Sequence, residues 1–180
     1  MKLLTRIGIG FSILIVLLVV VGFVLIWALN YHPKAKMKAE SLCKKGTTAL
    51  APGSTVRVLS WNIQYSASRK YHFFYDDGKD VYPAVKDVED ILKQLGNAVK
   101  KHKPDIILWQ EIDRDSARTG RIDQLKRLLA AHPYPCWAAA PYHWSRYVPT
   151  PGYKHMGRVN MQLAVLSRYP IEKATRHALP

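Results

Sequence analysis

At 180 residues the chain has room for one domain with appendages and too little for a multidomain assembly. Nearly half of it (48%) is hydrophobic, with no repeat or biased block, which excludes low-complexity and fibrous classes. The formal charge is +14, and only Lys2 and Arg6 contribute within residues 1–30; the basic remainder suits anionic partners such as phosphate esters, nucleic acid or acidic lipid headgroups.

From Ile7 to Leu29 run 23 residues without a charge, mostly Ile, Leu, Val, Phe and Gly. As a helix this stretch reaches roughly 34 Å, enough to cross a hydrocarbon core about 30 Å thick. Lipid offers the backbone no hydrogen-bond partners, so a spanning segment here must be helical. The alternative is a cleaved signal peptide, but the run exceeds the usual apolar region of about 7–15 residues and no small-x-small site follows it. Residues 1–31 are therefore expected to form a single-pass membrane anchor. Its orientation stays open. Lys34, Lys36, Lys38, Lys44 and Lys45 outnumber Lys2 and Arg6, which favours a cytoplasmic domain, whereas a short basic tail ahead of a first apolar segment also marks signal-anchors that export the downstream chain. Residues 32–54 read as a helical extension fading into a basic juxtamembrane linker. Cys43 and Cys136 are the two cysteines; an oxidising compartment would allow a pair, and free thiols are the expectation.

Residues 55–180 form the globular part. Thr55 to Asn62 alternates apolar and polar residues and reads as a strand. Residues 66–82 are polar and aromatic, a long loop. From Pro83 a helix is predicted, with Val85, Val88, Ile91, Leu92, Leu95 and Val99 at three- and four-residue steps and Lys100, Lys101 and Lys103 at its negative end. Pro104 stops it. The continuous apolar run Asp105–Trp109 predicts a strand buried on both faces. A second helix is predicted from about Arg121 to His132, a strand over residues 134–140, an irregular loop over 141–158, and a strand from Asn160 to Ser167. Strands alternating with helices give a layered α/β architecture.

Two residues carry the chemistry. Glu111 ends the buried strand, placing a carboxylate at the carboxyl end of a sheet, where open α/β folds keep their ligand sites. Asn62 ends the first strand in the same way. Should the two strands pair, amide and carboxylate lie side by side. A hard cation such as Mg²⁺ takes oxygen ligands of this kind, commonly one or two carboxylates with waters and substrate phosphate.

Val58-Leu59-Ser60-Trp61-Asn62-Ile63, Lys103-Pro104-Asp105-Ile106-Ile107-Leu108-Trp109-Gln110-Glu111-Ile112-Asp113 and Leu163-Ala164-Val165-Leu166-Ser167-Arg168-Tyr169-Pro170-Ile171 resemble three successive motifs of the endonuclease/exonuclease/phosphatase superfamily. The segment Asp113 to Thr119, followed by Asp123-Gln124, resembles a bacterial subgroup of it. The resemblance covers roughly residues 55–172. It implies an α/β fold, a two-sheet α/β sandwich of that type, left incomplete here and preceded by one transmembrane helix. It implies a Mg²⁺ (or Mn²⁺) cofactor held by Glu111 as principal ligand and by Asn62, beside metal and phosphate, both as catalytic residues, and Arg118 as a phosphate clamp, since its planar fork suits phosphate oxygens. Asp113 and Asp115 are expected in turns and salt bridges. The family's later motifs, an Asp-x-Asn and a terminal Asp-His, have no counterpart up to Pro180, so the chain is expected to be an inactive N-terminal portion of a membrane-anchored phosphoester hydrolase. Its substrate would be nucleic acid, a phospholipid headgroup or a small phosphoester. The alternative is a non-catalytic, membrane-tethered basic module that binds nucleic acid or acidic lipid.

Overall fold

A computed structural model describes residues 2–29 and 31–178, with side chains from Arg6 onward; the outermost residues of the predicted anchor and domain, Met1 and Pro180, lie outside them. The chain divides into two compact units, Met1–Tyr31 and His32–Pro180. The first is one helix, α1 (Lys2–Leu29), whose apolar stretch Arg6–Leu29 is long enough to cross a membrane by length and composition, a test that a signal sequence also passes.

The second unit holds strands β1 (Lys36–Lys38), β2 (Glu40–Cys43), β3 (Val58–Asn62), β4 (Ile106–Asp113), β5 (Cys136–Val148), β6 (Gly157–Ser167) and β7 (Thr175–His177), with helices α2 (Val85–His102) and α3 (Gln124–Ala131). It is a mixed α/β fold with two sheets: a five-stranded sheet in the order β2-β5-β6-β4-β3, and a two-stranded ribbon of β1 and β7. Among these strands only β3 and β4 pair in parallel; every other pair is antiparallel.

The periodicity of α2 is what seats it. Val88, Leu92, Leu95 and Val99 are buried on one face and meet Ile107, Trp109 and Ile112 of β4 together with Leu125 and Leu128 of α3. Both helices thus cover one face of the sheet, burying a side chain such as Leu95 to a gain of about 1.5–3 kcal/mol each. Polar residues close the helix ends. The Tyr71 hydroxyl accepts from the N–H of Ala84 (2.6 Å) and donates to Asp87 at the start of α2, and the side chain of Asp123 accepts from the N–H of Lys126 (2.9 Å) as the N-cap of α3. Lys103, left-handed at φ 46°, terminates α2 just before Pro104. On the opposite face of the sheet Val58, Leu108 and Leu163 remain exposed.

Several features differ from the sequence expectation. The strand predicted over Asp105–Trp109 is buried on one face only, since Leu108 on the other face is exposed. Residues 32–54 do not continue the helix; they supply β1 and β2, pairing with β7 and β5. Residues 141–158 are largely strand, because β5 and β6 form a long hairpin with register shifts at Pro141/His143 and Ser145/Val148. Cys43 and Cys136 are not free thiols: the β2–β5 register sets them opposite each other and they form a disulfide.

Candidate functional site

The site grows from a defect in β4. Ile107 and Trp109 point into the helix-covered core, so strict alternation would put Glu111 there too and Ile112 outside. Instead Ile112 is fully buried in that core, and the β4–β6 register shifts between Trp109 and Ile112. Glu111 takes up the extra residue with a left-handed backbone (φ 56°), and this β-bulge turns its carboxylate away from the core. In the parallel β3–β4 register Asn62 stands opposite Gln110, one residue away. The outcome is a direct contact: Nδ2 of Asn62 donates to Oε1 of Glu111 at 2.8 Å.

Asn62 is itself held. Its Oδ1 accepts from the N–H of Gln64 at 2.9 Å, which anchors the turn leaving β3. That turn is unusual: Gln64, Tyr65 and Ser66 are all left-handed (φ 45°, 43° and 60°), and none is glycine. Strained backbone of this kind persists where surrounding contacts over-determine it, commonly beside ligand sites. Here Nε2 of the buried Gln124 donates to the carbonyl of Tyr65 at 2.7 Å, and the Tyr65 and Tyr75 hydroxyls hydrogen-bond to each other. Burial, reinforced by the Tyr75 hydrogen bond, pushes the Tyr65 phenol well above its usual range, so it stays protonated.

Arg118 lies on the short turn Ala117–Thr119 and is only 6% exposed. It donates from Nε and Nη2 to the two oxygens of Asp113 (2.9 and 3.0 Å), and its guanidinium lies 3.6 Å from the centre of the Tyr65 ring. Burial opposes the charge, but the Asp113 carboxylate overrides it and holds the guanidinium cationic. Asp113 is fully buried, and Thr119 also donates to it (3.2 Å). Gly120 makes the turn possible: at φ 65° it needs no side chain, and a Cβ there would come within 2.6 Å of Val85 Cγ2. Asp115 pairs with Arg121 and Arg158 at the surface.

These parts converge on a cleft of about 490 Å³ lined by Asn62, Gln64, Tyr65, Tyr75, Glu111 and Arg118, with Met161 at its edge. All three residues singled out from sequence line it. Tyr65, Tyr75 and Gln64 were not foreseen, because no glycine announces the left-handed turn that brings them in. Nearby, burial and then Arg118 push the His143 imidazole below its usual value.

The donor set suits a largely hydrated hard cation. Oε2 of Glu111 has no protein hydrogen bond among the described residues, while Oε1 is oriented by Asn62. Among those residues no group of three or more His, Cys, Asp or Glu side chains forms a metal cluster, so water and substrate oxygens would complete the shell.

A two-sheet α/β fold whose polar cleft opens at the carboxyl ends of two parallel strands defines a class of ligand-binding α/β proteins. The sequence profile of the Endonuclease/Exonuclease/phosphatase family matches residues 59–180, and the chain belongs to that family. It is thereby of the phosphoester-hydrolase type, a family whose members commonly use divalent metals and act on phosphoesters. Comparison with curated proteins and with solved structures gives no match.

Proposed function

We propose that this chain provides the cation- and phosphate-binding part of a membrane-anchored, divalent-metal-dependent phosphoester hydrolase. The 2.8 Å contact between Asn62 and Glu111, at the ends of paired parallel strands, carries the reading. Glu111 holds the cation through its oxygen left without a protein partner, and Asn62 fixes the carboxylate so that this oxygen faces the cleft. A bound Mg²⁺ or Mn²⁺ supplies charge stabilisation to a phosphate oxygen. Arg118 has one amino group, Nη1, without a described protein acceptor, and Asp113 and the Tyr65 ring hold the guanidinium in place. It can thus neutralise a phosphate oxygen without reorganising. Helix α1 supports the tether, since its apolar stretch has the length a bilayer needs.

Isothermal titration of the chain with Mn²⁺ and with Mg²⁺, alongside hydrolysis of a generic phosphodiester, tests this. Binding that disappears in Glu111→Gln supports the site, and binding that survives it removes the site. The competing reading is a non-catalytic basic module, supported by the charge of +14. It expects metal-independent retention of polyanions and no Mn²⁺ or Mg²⁺ binding that depends on Glu111.

A further inference from the structure

The chain has two cysteines, and both are consumed in one cross-strand pair. Cys43 ends β2, fourteen residues beyond the last residue of α1, while Cys136 opens β5 and is fully buried. All four residues of β2 are exposed, so this edge strand has little apolar burial of its own. It is held by its ladder to β5, by the Glu40–Arg114 ion pair (2.7 Å) and by the disulfide. The bond therefore fastens the segment arriving from α1 to the central sheet.

Two thiols 93 positions apart become register partners only once β2 and β5 have paired. Joining them requires an oxidant. The two thiols lose two electrons and two protons, and a protein disulfide of the dithiol-oxidoreductase class accepts them by thiolate exchange, leaving as two thiols. Such bonds persist in exported and periplasmic compartments and are rare in a reducing cytosol. The lysines after α1 argue for the opposite side, since Lys34, Lys36, Lys38, Lys44 and Lys45 lie within the distance over which the positive-inside bias operates. That bias is a statistical preference of insertion, whereas the disulfide is a chemical requirement on the compartment. The requirement decides.

We infer that residues 32–180 fold on the oxidising, extracytoplasmic side of the membrane, with α1 entering as a signal-anchor. Resting on the hydrolase reading above, the substrate is then a phosphoester met outside the cytoplasm. Export itself does not depend on that reading, and it holds whether α1 stays as an anchor or is cleaved.

The test uses the full chain with a C-terminal epitope tag in cells whose thiols are trapped by rapid acid precipitation. Alkylation with a polyethylene-glycol maleimide is expected to add nothing before reduction and two increments after it. The Cys43→Ser and Cys136→Ser variants should each take one increment without reduction. In sealed right-side-out vesicles, added protease should digest the tag; in inverted vesicles the tag should survive. Increments on the unreduced wild-type chain, or a tag protected in right-side-out vesicles, overturn the inference. A tag recovered in a soluble fraction with the bond intact supports export and removes only the anchor. None of these readouts involves hydrolysis, so a failed activity assay leaves the result standing.

Discussion

Glu111 and Asn62 divide one task unequally, and their variants should show it. On the proposed reading Glu111 would supply the cation's protein oxygen, whereas Asn62 would aim it through the 2.8 Å hydrogen bond. Removing an orienting partner of this sort costs about 10–100-fold in metal affinity. Calorimetric titration with Mn²⁺ is therefore expected to show a loss in that range for Asn62→Ala and a larger one for Glu111→Gln. Arg118 belongs to a different balance. Its partner Asp113 is fully buried, so Arg118→Met leaves an uncompensated carboxylate and should destabilise the domain by about 3–5 kcal/mol in chemical denaturation, with Arg118→Met/Asp113→Leu recovering much of that loss. The Arg118 side chain was legible as a cation of the right shape; its buried acidic partner was legible only as a salt-bridge residue, since burial is set by the fold around it. His143 adds a pH dependence. Burial lowers its folded-state value, so the unfolded chain binds the proton more readily; stability contributed by neutral His143 is complete above about pH 6.5 and falls as pH drops below it. Thermal melts across that window should show a decline that His143→Gln flattens.

The bulge in β4 links the fold to the site, and it is missed in sequence because Glu111 reads there as the end of the strand, so the broken alternation of Trp-Gln-Glu-Ile passes for a strand end. A left-handed backbone costs a non-glycine residue roughly 1–2 kcal/mol. Glu111 bears that cost at φ 56° in order to face the cleft. Glu111→Gly and Glu111→Ala both lack the carboxylate, so their difference isolates the strain: the glycine variant is expected to be more stable by about 1 kcal/mol, measured by urea denaturation, with metal binding lost in both. An alanine variant as stable as the glycine one would show that the backbone there is relaxed. Helix α2 was readable because its 3.6 period extends over many residues, and β4 was readable as a strand but not as one buried on one face only, since the exposed Leu108 sits in a continuous apolar run. Strands β1 and β2 were not readable, since three or four residues are too short to establish a period. The β5–β6 hairpin was hidden by Pro141. Pro141 lies beyond Ala139, where β2 stops and β5 becomes an edge strand, and at a register shift of the β5–β6 ladder, the places where a sheet tolerates proline. The cysteine pairing followed β2 into obscurity, because only the strand's register brings Cys43 to Cys136.

At the scale of the molecule the charge of +14 is the dominant fact, and part of it is arranged. The β1–β7 register puts Lys36 and Lys38 on one face of the ribbon, with Met37 and Arg176 on the other. A surface of this sign concentrates anionic ligands and speeds their arrival, and added salt screens it. Retention of a polyanion should then fall steeply with salt, by more than about tenfold between roughly 50 and 200 mM, since each neutralised phosphate releases condensed counterions. Affinity for Mn²⁺ at Glu111 should move far less, because a ligated cation is in direct contact with its oxygens rather than held at a distance. Fluorescence anisotropy of a labelled single-stranded oligonucleotide, run beside the Mn²⁺ titration, separates the two. If the oligonucleotide's affinity is flat across that range, the basic residues solvate the surface rather than recruit substrate. If both affinities collapse together, the cation is held by the general field rather than by the carboxylate at the bulge.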